Sequence, residues 1–134
     1  MLFRSLVHVS QALQRAPAAA VRLYLVSHRY GRDWDFSWSA LARAGRLVER
    51  ARALLAEEAR GAGERPSAVV VGAGPGGRAP ARAGKALVKE FTAALDDDLD
   101  TPRAIRALRR AVRERDAAAA RWMLGILVGA ASLT

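Results

Sequence analysis

The stretch WSALARAGRLVERARALLAEEAR, residues 38–60, decides the fold class of this 134-residue chain. Its apolar side chains recur at steps of three and four, the spacing that places them on one face of an α-helix. The pattern predicts an amphipathic helix of about six turns, and Gly61 supplies the usual stop signal. The apolar positions are Leu41, Ala44, Leu47, Val48, Ala51, Leu54 and Leu55.

Helical spacing also precedes this segment. Pro17 separates a short helix from a second one, AAAVRLYLVSH, over residues 18–28. Because proline lacks an amide hydrogen and fixes its own backbone, it is favoured at the start of a helix and disfavoured inside one. The turn that follows contains three aromatic residues, and Ser37 or Ser39 is expected to cap the long helix.

The pattern resumes after the long helix. KALVKEFTAALDDD, residues 85–98, has helical spacing, and Thr101 is expected to cap the next helix. A final helix is predicted from about Ala117 to Val128. No pair of strands is evident, so the predicted fold class is all-α: a helical bundle of four to five helices in a single domain, residues 1–134.

One long, flexible loop rich in Gly, Ala and Pro is predicted at residues 61–84. It contains G-x-G-x-x-G at Gly72, Gly74 and Gly77, the pattern of dinucleotide-binding proteins. That site needs a core strand before the glycines and a helix that begins at them. Here only three valines precede them, and Arg78, Pro80 and Gly84 interrupt any helix, so we interpret the match as part of the loop.

Composition limits the classes of function. The chain has 22 Lys and Arg against 13 Asp and Glu, a net charge of +9, which favours a polyanionic partner such as RNA. It has only two lysines, a bias that a GC-rich genome also produces. The absence of cysteine excludes disulfide and thiolate chemistry. Neither end has the length or pattern of a signal peptide or membrane span, so we expect a cytoplasmic protein with no membrane partner.

No residue set predicts catalysis, a metal site or a cofactor. His8 and His28 have no cluster of ligands near them in the sequence. The acids of the stretch DDDLD, residues 96–100, are the type that binds divalent cations. Acids just before a helix also serve as caps and as partners of the helix dipole, and we favour that structural role.

Arginines carry the strongest indication of binding. They recur at steps of three and four on two predicted helices, opposite the apolar face, where guanidinium groups in a row match phosphates. A solvated helix face is the alternative. Trp34 is a candidate for stacking on a base, although the aromatic turn around it is also explained by packing on the bundle. The candidate RNA-binding residues are Arg103, Arg106, Arg110, Arg113, Arg43, Arg46, Arg50 and Trp34.

Two stretches together resemble a known family. VRLYLVSHRYGRDWDFS, residues 21–37, looks like the segment that follows the catalytic domain of cysteinyl-tRNA synthetases. FTAALDDDLDTPRAIRAL, residues 91–108, is similar to the acidic turn and following helix of that family. The related mycothiol-pathway cysteine ligase contains the same module, and DLDTPRAI resembles it at least as well.

The resemblance implies a helical domain of the DALR type that helps to hold tRNA. It aligns the start of the chain with the family's ATP-contacting loop, of which Arg4 and Ser5 are a degenerate remnant. The nucleotide-binding domain and zinc site of the family have no counterpart in this sequence, so we expect no catalytic activity of the chain alone.

Three roles follow from the resemblance as expectations, beside the alternative that the chain is a degenerate remnant with no selected role. The leading one is a module, stand-alone or truncated, that binds tRNA or related RNA. The second is a protein-interaction module that docks on a separate cysteine-activating ligase subunit. The third is a fragment of a complete cysteine–tRNA or mycothiol-type ligase.

Overall fold

The structure, a computed structural model, describes residues 6–61 and 83–129. These residues form α-helices and contain no strand, which confirms the all-α prediction. The described helices number six, more than the predicted four or five, because the short segment that was expected before Pro17 forms a seven-residue helix of its own. The helices are α1 (Val9–Arg15), α2 (Ala18–Val26), α3 (Trp38–Gly61), α4 (Lys85–Asp96), α5 (Thr101–Arg113) and α6 (Ala117–Val128).

Several predicted features lie outside the described residues. The G-x-G-x-x-G positions and almost all of the loop predicted at 61–84 fall within residues 62–82, and Arg4 and Ser5 fall within residues 1–5. Gly61 itself is the last residue of α3, as its sequence position indicated. None of the helices in the described ranges is long and apolar enough to cross a membrane.

The core lies between α2, α3, α5 and α6, with α4 packed on α5. Ala104, Ala107 and Ala111 of α5 and Ala119 and Ala120 of α6 are fully buried. These small side chains let the two helices approach closely, so that larger residues on the neighbouring helices fill the remaining space. The largest buried side chains are Tyr24, Phe91, Leu23, Leu41, Leu108, Met123, Leu124 and Val48.

Short polar side chains begin two of the main helices. Ser37 Oγ accepts a hydrogen bond from the Ala40 amide at 3.3 Å, which confirms its role as the cap of α3. At α5 the expected cap, Thr101, is wrong: Thr101 is the first helical residue, and Asp100 Oδ1 accepts the amide hydrogen of Arg103. Asp100 provides the cap, and the hydroxyl of Thr101 donates to the carbonyl oxygen of His28 instead.

Asp116 holds the starts of two helices at once. Its Oδ1 accepts the amide hydrogen of Ala119 at 2.9 Å and so caps α6. Its Oδ2 accepts the amide hydrogen of Gly84, the residue before α4, at 2.7 Å. A single carboxylate therefore fixes α4 relative to α6.

We expect Asp116→Ala to lower the free energy of unfolding by about 2 kcal/mol, because it leaves two amide donors at helix starts without their acceptor. Urea unfolding followed by far-UV circular dichroism measures the change. Glu49→Ala is the matched control, since Glu49 is exposed on α3 and makes no hydrogen bond or ion pair within the described residues. Equal stabilities of the two variants would contradict the double role of Asp116.

Candidate nucleic-acid interface

A groove of about 330 Å³ opens between α2, α3 and α5. Arg43 of α3 and Arg106 and Arg109 of α5 line it, and none of the described residues around it is acidic. We call this site the arginine groove. It brings together one residue from each of the two arginine rows predicted from the sequence.

The local sequence explains why the groove exists. Ala40 and Ala44 stand on either side of Arg43 on α3, and their small side chains leave space beside the neighbouring helices. Ile105 of α5 is buried beneath this space, while Arg106 and Arg109, one and four residues later on α5, extend over it. Long arginine stems cover apolar surface while the charged heads remain in water. The groove therefore has an apolar floor and a cationic rim.

Acidic neighbours divide the predicted arginine row of α5. Arg103 forms an ion pair with Asp97 at 3.8 Å. Arg110 forms ion pairs with Glu90 at 3.3 Å and Glu114 at 2.7 Å. The hydrogen bond with Glu114 raises the pKa of the Arg110 guanidinium, and the nearby charges of Glu114 and Glu90 add to this. These two arginines already have anionic partners within the protein.

The arginines of the groove differ in this respect. Within residues 6–61 and 83–129, no ion pair is found for Arg43, Arg106 or Arg109. An unpaired guanidinium keeps all of its donors for an external anion. Arg46, Arg50 and Arg113 are also without an ion pair among the described residues, so the groove is set apart because three such arginines line one space.

The remaining predicted arginines lie outside the groove. Arg46 and Arg50 are exposed on α3, about one and two turns beyond Arg43. Arg113 is exposed at the last turn of α5. Arg109 was not among the predicted residues, because the row chosen on α5 followed a different set of three- and four-residue steps. Its position four residues after Ile105 was the available indication that it borders the same face.

Trp34 lies in a cluster of aromatic rings rather than alone. Its indole stacks on the His28 ring, with centroids 3.8 Å apart and an angle of 15°. Its edge also meets Tyr24, and Tyr24 in turn contacts Phe36. The cluster packs the turn onto the bundle, as the alternative interpretation of this turn held. The indole remains 41% exposed, so stacking of a base on Trp34 stays a prediction.

Tyr24 connects this cluster to the groove. Its side chain is buried, and its hydroxyl oxygen accepts the amide hydrogen of Ser37 at 2.8 Å. Nδ1 of His28 lies 2.9 Å from the Tyr24 carbonyl oxygen, and because a carbonyl only accepts, Nδ1 is the donor. His28 also lines the arginine groove. The aromatic cluster thus fixes one wall of the groove.

The two stretches that carry the family resemblance contact each other directly. The hydroxyl of Tyr30 donates to Asp98 Oδ1 at 2.6 Å, and Arg29 lies 3.8 Å from Asp100. The hydroxyl of Thr101 donates to the His28 carbonyl oxygen at 3.3 Å. We call the contact between residues 28–30 and 97–101 the motif corner. The motif corner borders the arginine groove, because His28 of the corner and Pro102, the residue that follows it, both line the groove.

Three of the four acidic residues of DDDLD have structural partners at this corner. Asp97 pairs with Arg103, Asp98 accepts from Tyr30, and Asp100 caps α5. These contacts support the structural role favoured from the sequence. Among the described residues, no group of three or more potential ligands is placed to hold a metal ion.

The turn of the motif corner has a strained backbone. Asp98 and Leu99 have φ values of 49° and 50°, the left-handed region that costs a residue with a side chain about 1–2 kcal/mol. Leu99 is exposed and contributes little to the core. The turn reverses the chain tightly enough for Asp100 to cap α5 while its amide donates to the Ala94 carbonyl. The side-chain contacts of the corner hold this turn in place.

We expect the pKa of Tyr30 to lie above its ordinary value of 10.0, because its hydroxyl donates to Asp98 and the carboxylate disfavours a second negative charge. The neutral phenol is thus favoured in the folded state. Its contribution to stability is complete below pH 10 and is lost as the pH rises through the raised pKa. An NMR titration of the Tyr30 ring carbon should show the midpoint falling in Asp98→Ala. An unchanged midpoint would exclude this contact in solution.

Known proteins are similar in sequence to this chain over most of its length. The chain is 38% identical over 115 residues to a cysteine–tRNA ligase of Moorella thermoacetica, which covers 79% of the chain and 22% of that protein. It is 30% identical over 131 residues to the cysteine–tRNA ligase of Gluconobacter oxydans, which covers 94% of the chain and 24% of that protein.

A ligase with a different acceptor is also similar. The L-cysteine:1D-myo-inositol 2-amino-2-deoxy-alpha-D-glucopyranoside ligase of Micrococcus luteus is 37% identical over 89 residues, which cover 66% of the chain and 16% of that protein. No family model matches the chain, and no solved structure matches it.

The chain thus spans between 16% and 24% of the length of these three relatives. The similarity extends over most of its own length, in agreement with the resemblance of its two motif stretches. The chain therefore belongs to the family of cysteine–tRNA ligases and the cysteine:glucosaminyl-inositol ligase, and it corresponds to one segment of those proteins.

Proposed function

We propose that this chain is an RNA-binding helical module of the DALR type that holds tRNA, or an RNA like it, at the arginine groove. The observation that carries the proposal is the convergence of Arg43, Arg106 and Arg109 on one groove without acidic partners among the described residues. Arg46 and Arg50 extend the positive surface along α3. The net charge of +9 attracts a polyanion to this surface from a distance.

The names of the relatives favour tRNA within the class of RNA. Two are cysteine–tRNA ligases, proteins named for the joining of cysteine to tRNA. The chain matches less than a quarter of either protein, so we propose for it a share in holding the tRNA and no ligase chemistry of its own. Because it would hold tRNA for translation, we propose that it acts in the cytoplasm.

The first test is a fluorescence-anisotropy titration with tRNA(Cys), an unrelated tRNA and duplex DNA, each at two salt concentrations. Binding to tRNA(Cys) that is tightest of the three and persists at about 150 mM salt supports a recognition role. Equal binding to all three that is lost steeply with salt would mean only general attraction to polyanions, and would overturn the proposal.

The double variant Arg43→Ala/Arg106→Ala should weaken tRNA binding and lower the slope of log K against log salt by about one unit for each lost phosphate contact. The control Arg60→Ala/Lys89→Ala removes the same charge from exposed positions that do not line the groove. Affinities and slopes that fall equally in both variants would assign the binding to net charge and remove the groove from the proposal.

A second candidate role, docking on a separate cysteine-activating ligase subunit, is favoured by exposed apolar residues at the N-terminal end. Val9 and Leu13 of α1 are 59% and 47% exposed, and Leu6 just before the helix is 87% exposed. Val9 and Leu13 stand four residues apart, on one face of α1. Exposed apolar residues grouped in this way are typical of contact surfaces.

For this second role, the purified chain should co-elute in size-exclusion chromatography with a cysteine–tRNA ligase from the same cells. Val9→Asp/Leu13→Asp should abolish co-elution, because it places two charges in the contact. Far-UV circular dichroism would check that the variant remains helical. Separate elution of the unaltered chain and the ligase at micromolar concentrations would count against docking.

A further inference from the structure

The arginine groove has the size of a site for one nucleotide. Its volume of about 330 Å³ lies at the lower end of the range of about 300–1,000 Å³ that is usual for ligand sites. The helices α2, α3 and α5 surround it on three sides, and His28 and Pro102 stand at its end by the motif corner. A site of this size between three helices can hold one nucleotide.

The charge of the groove matches a terminal phosphate better than an internal one. Three arginines line it, and the repulsion between their positive charges is relieved most by an anion of high charge. A phosphomonoester carries about −1.5 to −2 near neutral pH and presents three acceptor oxygens. An internal phosphodiester carries a single negative charge and has only two free oxygens. Arginine also binds phosphate through two parallel hydrogen bonds, and the third oxygen of a phosphomonoester offers the arginines one more acceptor.

The floor of the groove can receive the rest of a nucleotide. Leu23, Leu47 and Ile105 lie beneath it, and Ala40 is only partly buried. The imidazole of His28 borders the same space and is held in place by Trp34 on one face. Leu23, Leu47 and Ile105 are almost fully buried, so the surface open to a base is formed by Ala40 and the fixed ring of His28, while the phosphate reaches the arginines.

We infer that the arginine groove binds the terminal phosphomonoester of a nucleotide, either a free mononucleotide or the phosphorylated end of an RNA. Arg43, Arg106 and Arg109 bind the phosphate oxygens, and the base lies on the apolar floor next to His28. The inference rests on the proposed function in that it assigns the same groove, and it specifies which part of the nucleic acid enters it.

The test compares RNA hexanucleotides of one sequence that carry a 5′-phosphate, a 3′-phosphate or no terminal phosphate. We expect one of the phosphorylated forms to bind about tenfold or more tightly than the unphosphorylated form. Equal affinities of all three would overturn the inference. In that case, loss of binding in Arg43→Ala/Arg106→Ala would still uphold the proposed RNA-binding function.

Competition experiments separate the two sources of the phosphate. If 5′-AMP displaces the phosphorylated hexanucleotide at a concentration near its own dissociation constant, a free nucleotide is a sufficient ligand. If the hexanucleotide binds about tenfold more tightly than 5′-AMP, the end of an RNA is the ligand. Inorganic phosphate that binds as tightly as 5′-AMP would overturn the role of the apolar floor. Binding of 5′-AMP in the groove without any binding of tRNA would uphold the inference and overturn the proposed function.

Variants of the third arginine make the assignment specific. Arg109→Ala should reduce the preference for the phosphorylated hexanucleotide about tenfold and leave the affinity for the unphosphorylated form nearly unchanged. Lys89→Ala is the control, because Lys89 is exposed on α4 and does not line the groove. A preference that is retained in Arg109→Ala would remove this residue from the site. Chemical shifts of the arginine side-chain N–H groups would show directly which guanidinium groups contact 5′-AMP.

Discussion

The packing of the buried Tyr24 phenol against its neighbours is the interaction on which the wall of the arginine groove depends. Its ring meets His28, Trp34 and Phe36 edge to face, and its oxygen binds the amide of Ser37 at the start of α3. Such pairs contribute about 0.5–1.5 kcal/mol each beyond the burial of their area. Because Tyr24 fixes both His28 and the entry to α3, the connection between α2 and α3 has a defined course. That course places His28 in the wall of the arginine groove.

The distribution of acids decides which arginines remain for a ligand. Glu90 on α4, together with Glu114 and Asp97, engages the arginines on the side of α5 that faces α4. The opposite side of α5 faces α3, which contributes Arg43 and no acid to the groove. Ion pairs of this exposed kind contribute little to stability, commonly between about 0 and 1 kcal/mol. Their larger effect here is to divide one uniformly charged helix face into a neutralised side and a cationic side.

The sequence predicted the helices well and the binding surface only in part. Three- and four-residue spacing located α3 and α6 to within a residue, because that spacing is a direct property of the helix. It also identified the exposed face of α5. Spacing does not tell which neighbouring helix borders each edge of a face, so the pairing of Arg110 with Glu90, 20 residues away, was not predictable. The omission of Arg109 came instead from the row of steps chosen on α5. The choice of Thr101 as a cap was wrong because its hydroxyl bonds to the His28 carbonyl, a contact between distant residues that local sequence does not reveal.

The bond between Asp116 and Gly84 has a consequence for how the family can vary. The direction in which α4 begins is set by a side chain 32 residues later in the chain, and the body of the helix packs against α5. The stretch between Gly61 and Gly84 can thus gain or lose residues over evolution while the helices keep their arrangement.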